Sequence, residues 1–298
     1  MEINSFPRTT VAGISLPRML IGTNWILGWS HKSPSADGMV IQRNRNKEAI
    51  ADIIEAFLGH DINAIMAPVA QHPVIADGAK LAEDRTGKKV IFIDTPVINV
   101  DDTPDARREA EAVIKSCKDI GSTFCLLHHS SVEQLVNKNK RVIDRLPDYL
   151  EMIREHDLIP GLSAHMPELI VFSDEQDYDV ETYIQIYNCL GYLMQIEIEY
   201  VHKIIWNAKK PVMTIKPMAA GRVTPFVGLT FSYATLRPCD MVTVGCFTPD
   251  EVHEDIEIGL AAIDRRAPEI EGRSSPSKQA AMGEGAQEVH DPSEYGKI

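Results

Sequence analysis

Apolar residues in this chain gather in short runs of four or five that begin after a glycine or polar turn and stop abruptly at polar groups. Eight such runs occur, at 19–24, 63–66, 90–94, 124–128, 159–165, 183–188, 212–216 and 241–245. Runs of this length, rich in Ile, Val, Leu and Met, are what strands buried on both faces require. Between them, apolar residues recur at helical spacing, which predicts helices over 47–58, 73–84, 103–119, 131–156 with a break near 137–140, 167–175, 191–209, 224–236 and 248–265. In the sixth of these, Leu193, Ile196, Tyr200 and Ile204, with Ile205 beside them, fall at helical spacing and alternate with Glu197 and Lys203. Strand and helix alternating eight times predicts an α/β fold, a (β/α)8 TIM barrel. Ahead of the first strand, residues 7–16 read as a β-hairpin turning at Ala12-Gly13, a plug for one end of the barrel.

The 298 residues, 44% hydrophobic, suit one barrel at 1–266 followed by a polar tail at 267–298, too poor in apolar residues to offset its ordering entropy and so expected to be poorly ordered. The loop from Gly28 to Asn46 is long and polar and carries Trp29 and His31; loops of that length on a compact barrel are usually functional, which makes it a candidate lid. A net charge of −13 without a Lys/Arg cluster argues against a nucleic-acid partner. The N-terminus has no basic-then-apolar leader and no run of about 18 apolar residues occurs, so a cytoplasmic protein without a membrane partner is expected. Five scattered cysteines without a C-x-x-C pair suggest neither a disulfide framework nor a zinc knuckle. A homo-oligomer stays open.

Parallel barrels build their sites at the C-terminal ends of the strands. There the sequence offers Asn24 and Trp25, Met66, Asp94, His128 and His129, Ser163 and His165, Gln185 and Asn188, and Lys216. Asp94, His128 and His165 come from three consecutive strands about 5 Å apart. Two imidazoles and a carboxylate are also a ligand set for a catalytic divalent metal such as Zn, Mn, Fe or Ni. A regular strand would turn His129 away from His128, leaving one of them facing the axis. Lys216 reads as a cation for an anionic substrate, as a nucleophile of lowered pKa, or as the partner of a strand-end acid. Gly221 and the amides near Thr248 could hold a phosphate, but Asp250, Glu251, Glu254 and Asp255 favour a helix cap there.

The chain resembles the aldo/keto reductases, in order along about residues 7–262: in the hairpin and Leu20-Ile21-Gly22-Thr23-Asn24-Trp25, in Gly161-Leu162-Ser163-Ala164-His165, in Gln185-Ile186-Tyr187-Asn188, in Lys216-Pro217-Met218-Ala219-Ala220-Gly221, and in Val244-Gly245-Cys246-Phe247-Thr248-Pro249. The resemblance implies the plugged barrel and, in typical members, NADP-dependent carbonyl reduction by an Asp, Tyr, Lys and His tetrad. Here Met66, Gln71 and Asp94 stand where the Asp, Tyr and Lys would be, and only the histidine remains, as His128. Of the residues that hold the nicotinamide in the family, Ser163 and Gln185 remain while the Asn is Ala164. Asp250 and Glu251 would repel a 2′-phosphate, which disfavours NAD(P).

Three functions stay open. The leading one is a metal-assisted hydrolase, lyase or isomerase acting on a small hydroxylated or carbonyl compound, sugar-like in character. In it Asp94, His128 and His165 bind the metal, His128, Lys216 and Asp94 act in catalysis, and Asn24, Trp25, Trp29, Ser163, Gln185 and Asn188 contact the substrate. The others are an NAD(P)-dependent oxidoreductase with an altered site and a catalytically inert binding or regulatory barrel.

Overall fold

A computed structural model describes residues 5–270. The chain opens with the hairpin of β1 (Arg8–Val11) and β2 (Ile14–Pro17), paired antiparallel so that Val11 faces Ile14. Its turn residues Ala12 and Gly13 both take positive φ, 49° and 80°, which matches the twist of a two-residue hairpin. The barrel strands are β3 (Met19–Gly22), β4 (Ala64–Ala67), β5 (Ile91–Asp94), β6 (Phe124–Leu127), β9 (Ile159–Ala164), β10 (Tyr183–Ile186), β11 (Val212–Ile215) and β12 (Met241–Val244). All eight are parallel and the sheet closes on itself, with Val242 of β12 in register with Met19 of β3.

Side chains alternate across each strand, which divides the core in two. Inside the barrel lie Leu20, Ala64, Met66, Ile93, Phe124, Leu126, Ile184, Met213 and Met241, and beneath them sit Val11 and Leu16 of the hairpin. The opposite parity, including Met19, Ile21, Ile65, Cys125, Leu127, Leu162 and Val242, packs against the surrounding helices. The floor is therefore sealed by apolar side chains, as the plug reading expected.

After β3 come α1 (Asn24–Leu27), α2 (Pro34–Arg43) and α3 (Lys47–Gly59). The polar loop 28–46 thus carries a helix of its own, capped by Ser33 Oγ, which accepts from the Ala36 N–H. Next are α4 (Val74–Thr86) and α5 (Pro104–Asp119). The helix expected over 131–156 is replaced by a composite crossover: α6 (His129–Val132), a 3₁₀ turn at Glu133–Leu135, a small hairpin of β7 (Val136–Asn137) and β8 (Val142–Ile143), and only then α7 (Leu146–Glu155). The polar stretch Asn137-Lys138-Asn139-Lys140 is the turn of that hairpin, which explains the break in periodicity. The remaining helices are α8 (Glu168–Glu175), α9 (Ile198–Asn207), α10 (Pro225–Thr235) and α11 (Pro249–Asp264). Leu193 and Ile196 precede α9 and are exposed, and Tyr200 within it is exposed too, while Ile205 is buried and Ile204 partly so, so only the C-terminal part of the stripe forms. Among the described residues no helix is long and apolar enough to cross a membrane. Most of the expected tail, 271–298, lies outside the described residues.

Leu16 is fully buried under the barrel interior, so Leu16→Ala should lower stability by about 2–5 kcal/mol. Urea denaturation measures this, and a midpoint equal to that of the parent chain would show that the hairpin is not seated.

Candidate active site

A cavity of about 900 Å³ opens at the C-terminal end of the barrel. Parity decides which strand ends reach it. On β6, Phe124 and Leu126 point inward, so His128 does as well, and it lines the cavity. The strand then stops, because the His128 ring Nδ1 accepts from the Ser130 N–H at 3.3 Å and caps α6. The turn swings His129 round to the same side, so both imidazoles line the cavity, contrary to the expectation for a regular strand. On β9, Ile159 faces inward, and the alternation carries Ser163 and His165 to the cavity.

These three imidazoles lie in ring contact, His129 stacked on His165 and tilted against His128. The His129 and His165 rings lie 3.6 Å apart at 21°, and His128 and His129 lie 4.2 Å apart at 46°. Glu133, one helical turn beyond His129, joins the group: its Oε2 is 3.9 Å from His129 Nδ1, and its Oε1 accepts the N–H groups of His165 at 2.5 Å and Met166 at 2.8 Å. Burial would raise the Glu133 pKa, but the bonds from His129, Met166 and His165 hold it below its usual value. Burial first, then the charge of His129, pulls His128 down to about 4 and His165 to about 3. Both are therefore neutral at neutral pH.

Lys216 follows β11, in which Met213 and Ile215 face inward, so strict alternation would send its side chain outward. It reaches the cavity because its backbone is left-handed, with φ 61°, and its carbonyl accepts the Ala219 N–H in a tight turn. A non-glycine residue there costs about 1–2 kcal/mol. Burial lowers the Lys216 pKa. Its amine has no hydrogen-bond or ion-pair partner among the described residues, so the ion-pair reading is set aside.

Asn24, Trp25 and Trp29 complete the wall: the Asn24 amide lies 3.1 Å from His31 Nε2, Trp25 meets Phe247 edge-on at 6.5 Å, and Trp29 meets His72 at 4.9 Å. The rim also carries His31, Lys32 and Arg222 on one side and Glu251, Glu254 and Asp255 on another. Burial pushes Asp255 up to about 7 against the bond it accepts from the Cys246 thiol at 3.4 Å. Thr248 Oγ1 accepts the Glu251 N–H as the cap of α11, the role its acidic first turn suggested.

Three expected site residues lie elsewhere. Asp94 follows the inward Ile93 and so points outward, where its Oδ2 accepts the Ala70 N–H and the Ser122 hydroxyl, each at 3.0 Å. It cannot join His128 and His165 around a metal or act with them. Among the described residues, no group of three His, Cys, Asp or Glu is placed to hold a metal ion. Gln185 also points outward, buried, and donates to the His165 carbonyl at 3.3 Å. Asn188 is spent on its own turn, accepting from the N–H groups of Leu190 and Tyr192 and donating to the Tyr192 carbonyl. Neither lines the cavity as a substrate contact. Conversely, Glu133, Lys32 and Arg222 join the site without standing among the strand-end residues that the sequence offers. The His129–Glu133 spacing of four was the available signal.

Fold and cavity together define a (β/α)8 barrel with its candidate site at the C-terminal mouth. No protein-family profile matches the sequence, and no curated protein matches it. Solved structures do. A "putative aldo-keto reductase" from Pseudomonas aeruginosa superposes with a TM-score of 0.63 at 13% identity, covering 88% of this chain and 100% of that one. Aldose reductase from Giardia lamblia gives 0.51 at 14%, covering 93% and 91%. Rubisco from Pyrococcus horikoshii gives 0.50 at 10%, covering 74% and 57%. At these identities the likeness is one of fold.

Asp255 provides a pH test. Its pKa in the folded chain is about 7 against an ordinary 3.8, so the folded state holds a proton that the unfolded state releases. Its stabilising contribution is complete below about pH 4 and declines up to about pH 7, by at most about 1.4 kcal/mol per unit. Asp255→Asn should remove that slope. Thermal melts from pH 4 to 8 that fall in parallel for both proteins would contradict the assignment.

Proposed function

We propose that this chain is a barrel enzyme acting on a small carbonyl compound, with Lys216 as the nucleophile and the histidine cluster as its proton relay. The observation that carries the reading is the Lys216 amine: turned into the cavity, partly desolvated and without a carboxylate partner. An amine whose pKa is lowered has a larger neutral fraction, and only the neutral form attacks a carbonyl. Attack at the carbonyl carbon gives a carbinolamine, and loss of its hydroxyl as water leaves an imine on Lys216. The proton that the nitrogen releases and the proton that the departing hydroxyl needs can pass through a neutral imidazole, which accepts on one nitrogen and donates from the other. Glu133 beside His129 steadies the imidazolium formed on the way. The imine then draws electrons from the adjacent carbon, which suits lyase or isomerase chemistry.

The positions aligned with the reductase tetrad lend themselves poorly to carbonyl reduction. Met66 offers only a sulfur, which accepts from Thr243 Oγ1 at 3.7 Å. The Gln71 amide is engaged at both ends by the Val97 backbone, donating to its carbonyl and accepting its N–H. Asp94 faces away. Of the nicotinamide-holding residues, Gln185 is likewise turned out, so this lining does not fit a dinucleotide held in the reductase manner.

Sodium borohydride reduces an imine to a stable amine. Incubation with glycolaldehyde or pyruvate followed by borohydride should leave a single adduct on the peptide containing Lys216, seen by mass spectrometry and lost in Lys216→Met. Failure of a panel of aldehydes and 2-oxo acids to label Lys216, or a bound transition metal lost in His165→Ala, would overturn this reading.

A further inference from the structure

The cavity mouth holds two more cations that the imine chemistry does not use. Lys32 and Arg222 both line it, and among the described residues neither has an ion-pair partner. In a chain with 43 acidic and 30 basic residues, unpaired cations meeting at one opening call for an anion from outside. Arg222 is held in place. Its guanidinium lies over the Tyr192 ring with Cζ 4.1 Å from the centroid, and it donates to the carbonyls of His31 and Ala219. Three of its N–H groups are engaged in those contacts, so of the five a guanidinium carries two are left.

The Lys32 amine overhangs Gly221, 3.7 Å from where a β-carbon on that glycine would stand, and Trp25 lies 3.8 Å from the same point. Gly221 itself is left-handed, at φ 76°, so the position disfavours any side chain that would fill the space. His31 lines the same cavity, within the fields of both Lys216 and Arg222. The carboxylates that share the cavity, Glu251, Glu254 and Asp255, form no ion pair with either cation; Glu251 is committed to the Phe247 N–H and Asp255 to the Cys246 thiol.

We infer that Lys32 and Arg222 bind a phosphomonoester on the substrate, so that the ligand class is a phosphorylated aldehyde or ketone whose carbonyl reaches Lys216. This names the substrate of the reading above and rests on it for the carbonyl end, but its anion site stands on different residues.

The full-length protein, offered glycolaldehyde phosphate or glycolaldehyde and then borohydride, should label the phosphate ester about tenfold faster, the worth of one charge-assisted hydrogen bond. In Lys32→Met and Arg222→Gln the preference should fall towards unity while labelling by glycolaldehyde persists. The Lys32 amine ties down no part of the chain, so the first variant tests binding without unseating the loop. Equal labelling by both aldehydes, or a preference that survives both substitutions, would overturn the anion site and leave the Lys216 chemistry intact. If neither aldehyde labels, the Lys216 reading fails, and tryptophan fluorescence then decides the anion site alone: inorganic phosphate should change the emission of the parent chain and not of Lys32→Met, and no change in the parent would overturn it. Displacement of phosphate by micromolar NADPH would instead assign these cations to a dinucleotide and overturn the substrate proposal.

Discussion

Closure of a two-residue repeat into a ring is the constraint on which the rest of this structure depends. Once eight parallel strands meet edge to edge, alternate side chains are committed to an interior with room only for apolar groups, and the others to the helical shell. The commitment runs on past the last interior layer. His128 and Ser163 open onto the mouth because Leu126 and Gly161 below them face inward, and Asp94 and Gln185 are denied it because Ile93 and Ile184 took the inward turn.

Above that layer the electrostatics follow from crowding. Three imidazoles and an amine share a partly desolvated space in which every added positive charge raises the cost of the next. Neutrality of His128 and His165 comes first from their burial and is reinforced by the proximity of His129 and Lys216. Glu133 places a carboxylate beside His129, and it also fastens the end of β9 to the 3₁₀ turn after α6 through two backbone N–H groups. The charge balance and the shape of the site are therefore maintained by the same side chain.

Much of the frame was legible in the chain. The apolar runs, the hairpin at Ala12-Gly13 and the strand-end location of the site follow from local pattern alone. The structure departs from the local pattern where a strand is apolar at both parities or where the backbone overrides alternation. Val90, Ile91, Phe92 and Ile93 are apolar at both parities, so the pattern alone leaves open which way Asp94 turns, and the structure turns Ile93 inward and Asp94 outward. His129 required knowing that the strand ends at Leu127, a consequence of the His128 ring capping the following turn. Lys216 could not have been placed by alternation at all, because a left-handed backbone overrides it. The crossover after β6 misled for another reason: its short hairpin carries polar residues at spacings that a helix also tolerates.

The hairpin beneath the barrel has one more effect. With Val11 and Leu16 wedged under the interior layer, the described residues form a cup closed at its base, and a molecule that enters past Trp25 and Trp29 leaves on the side by which it came.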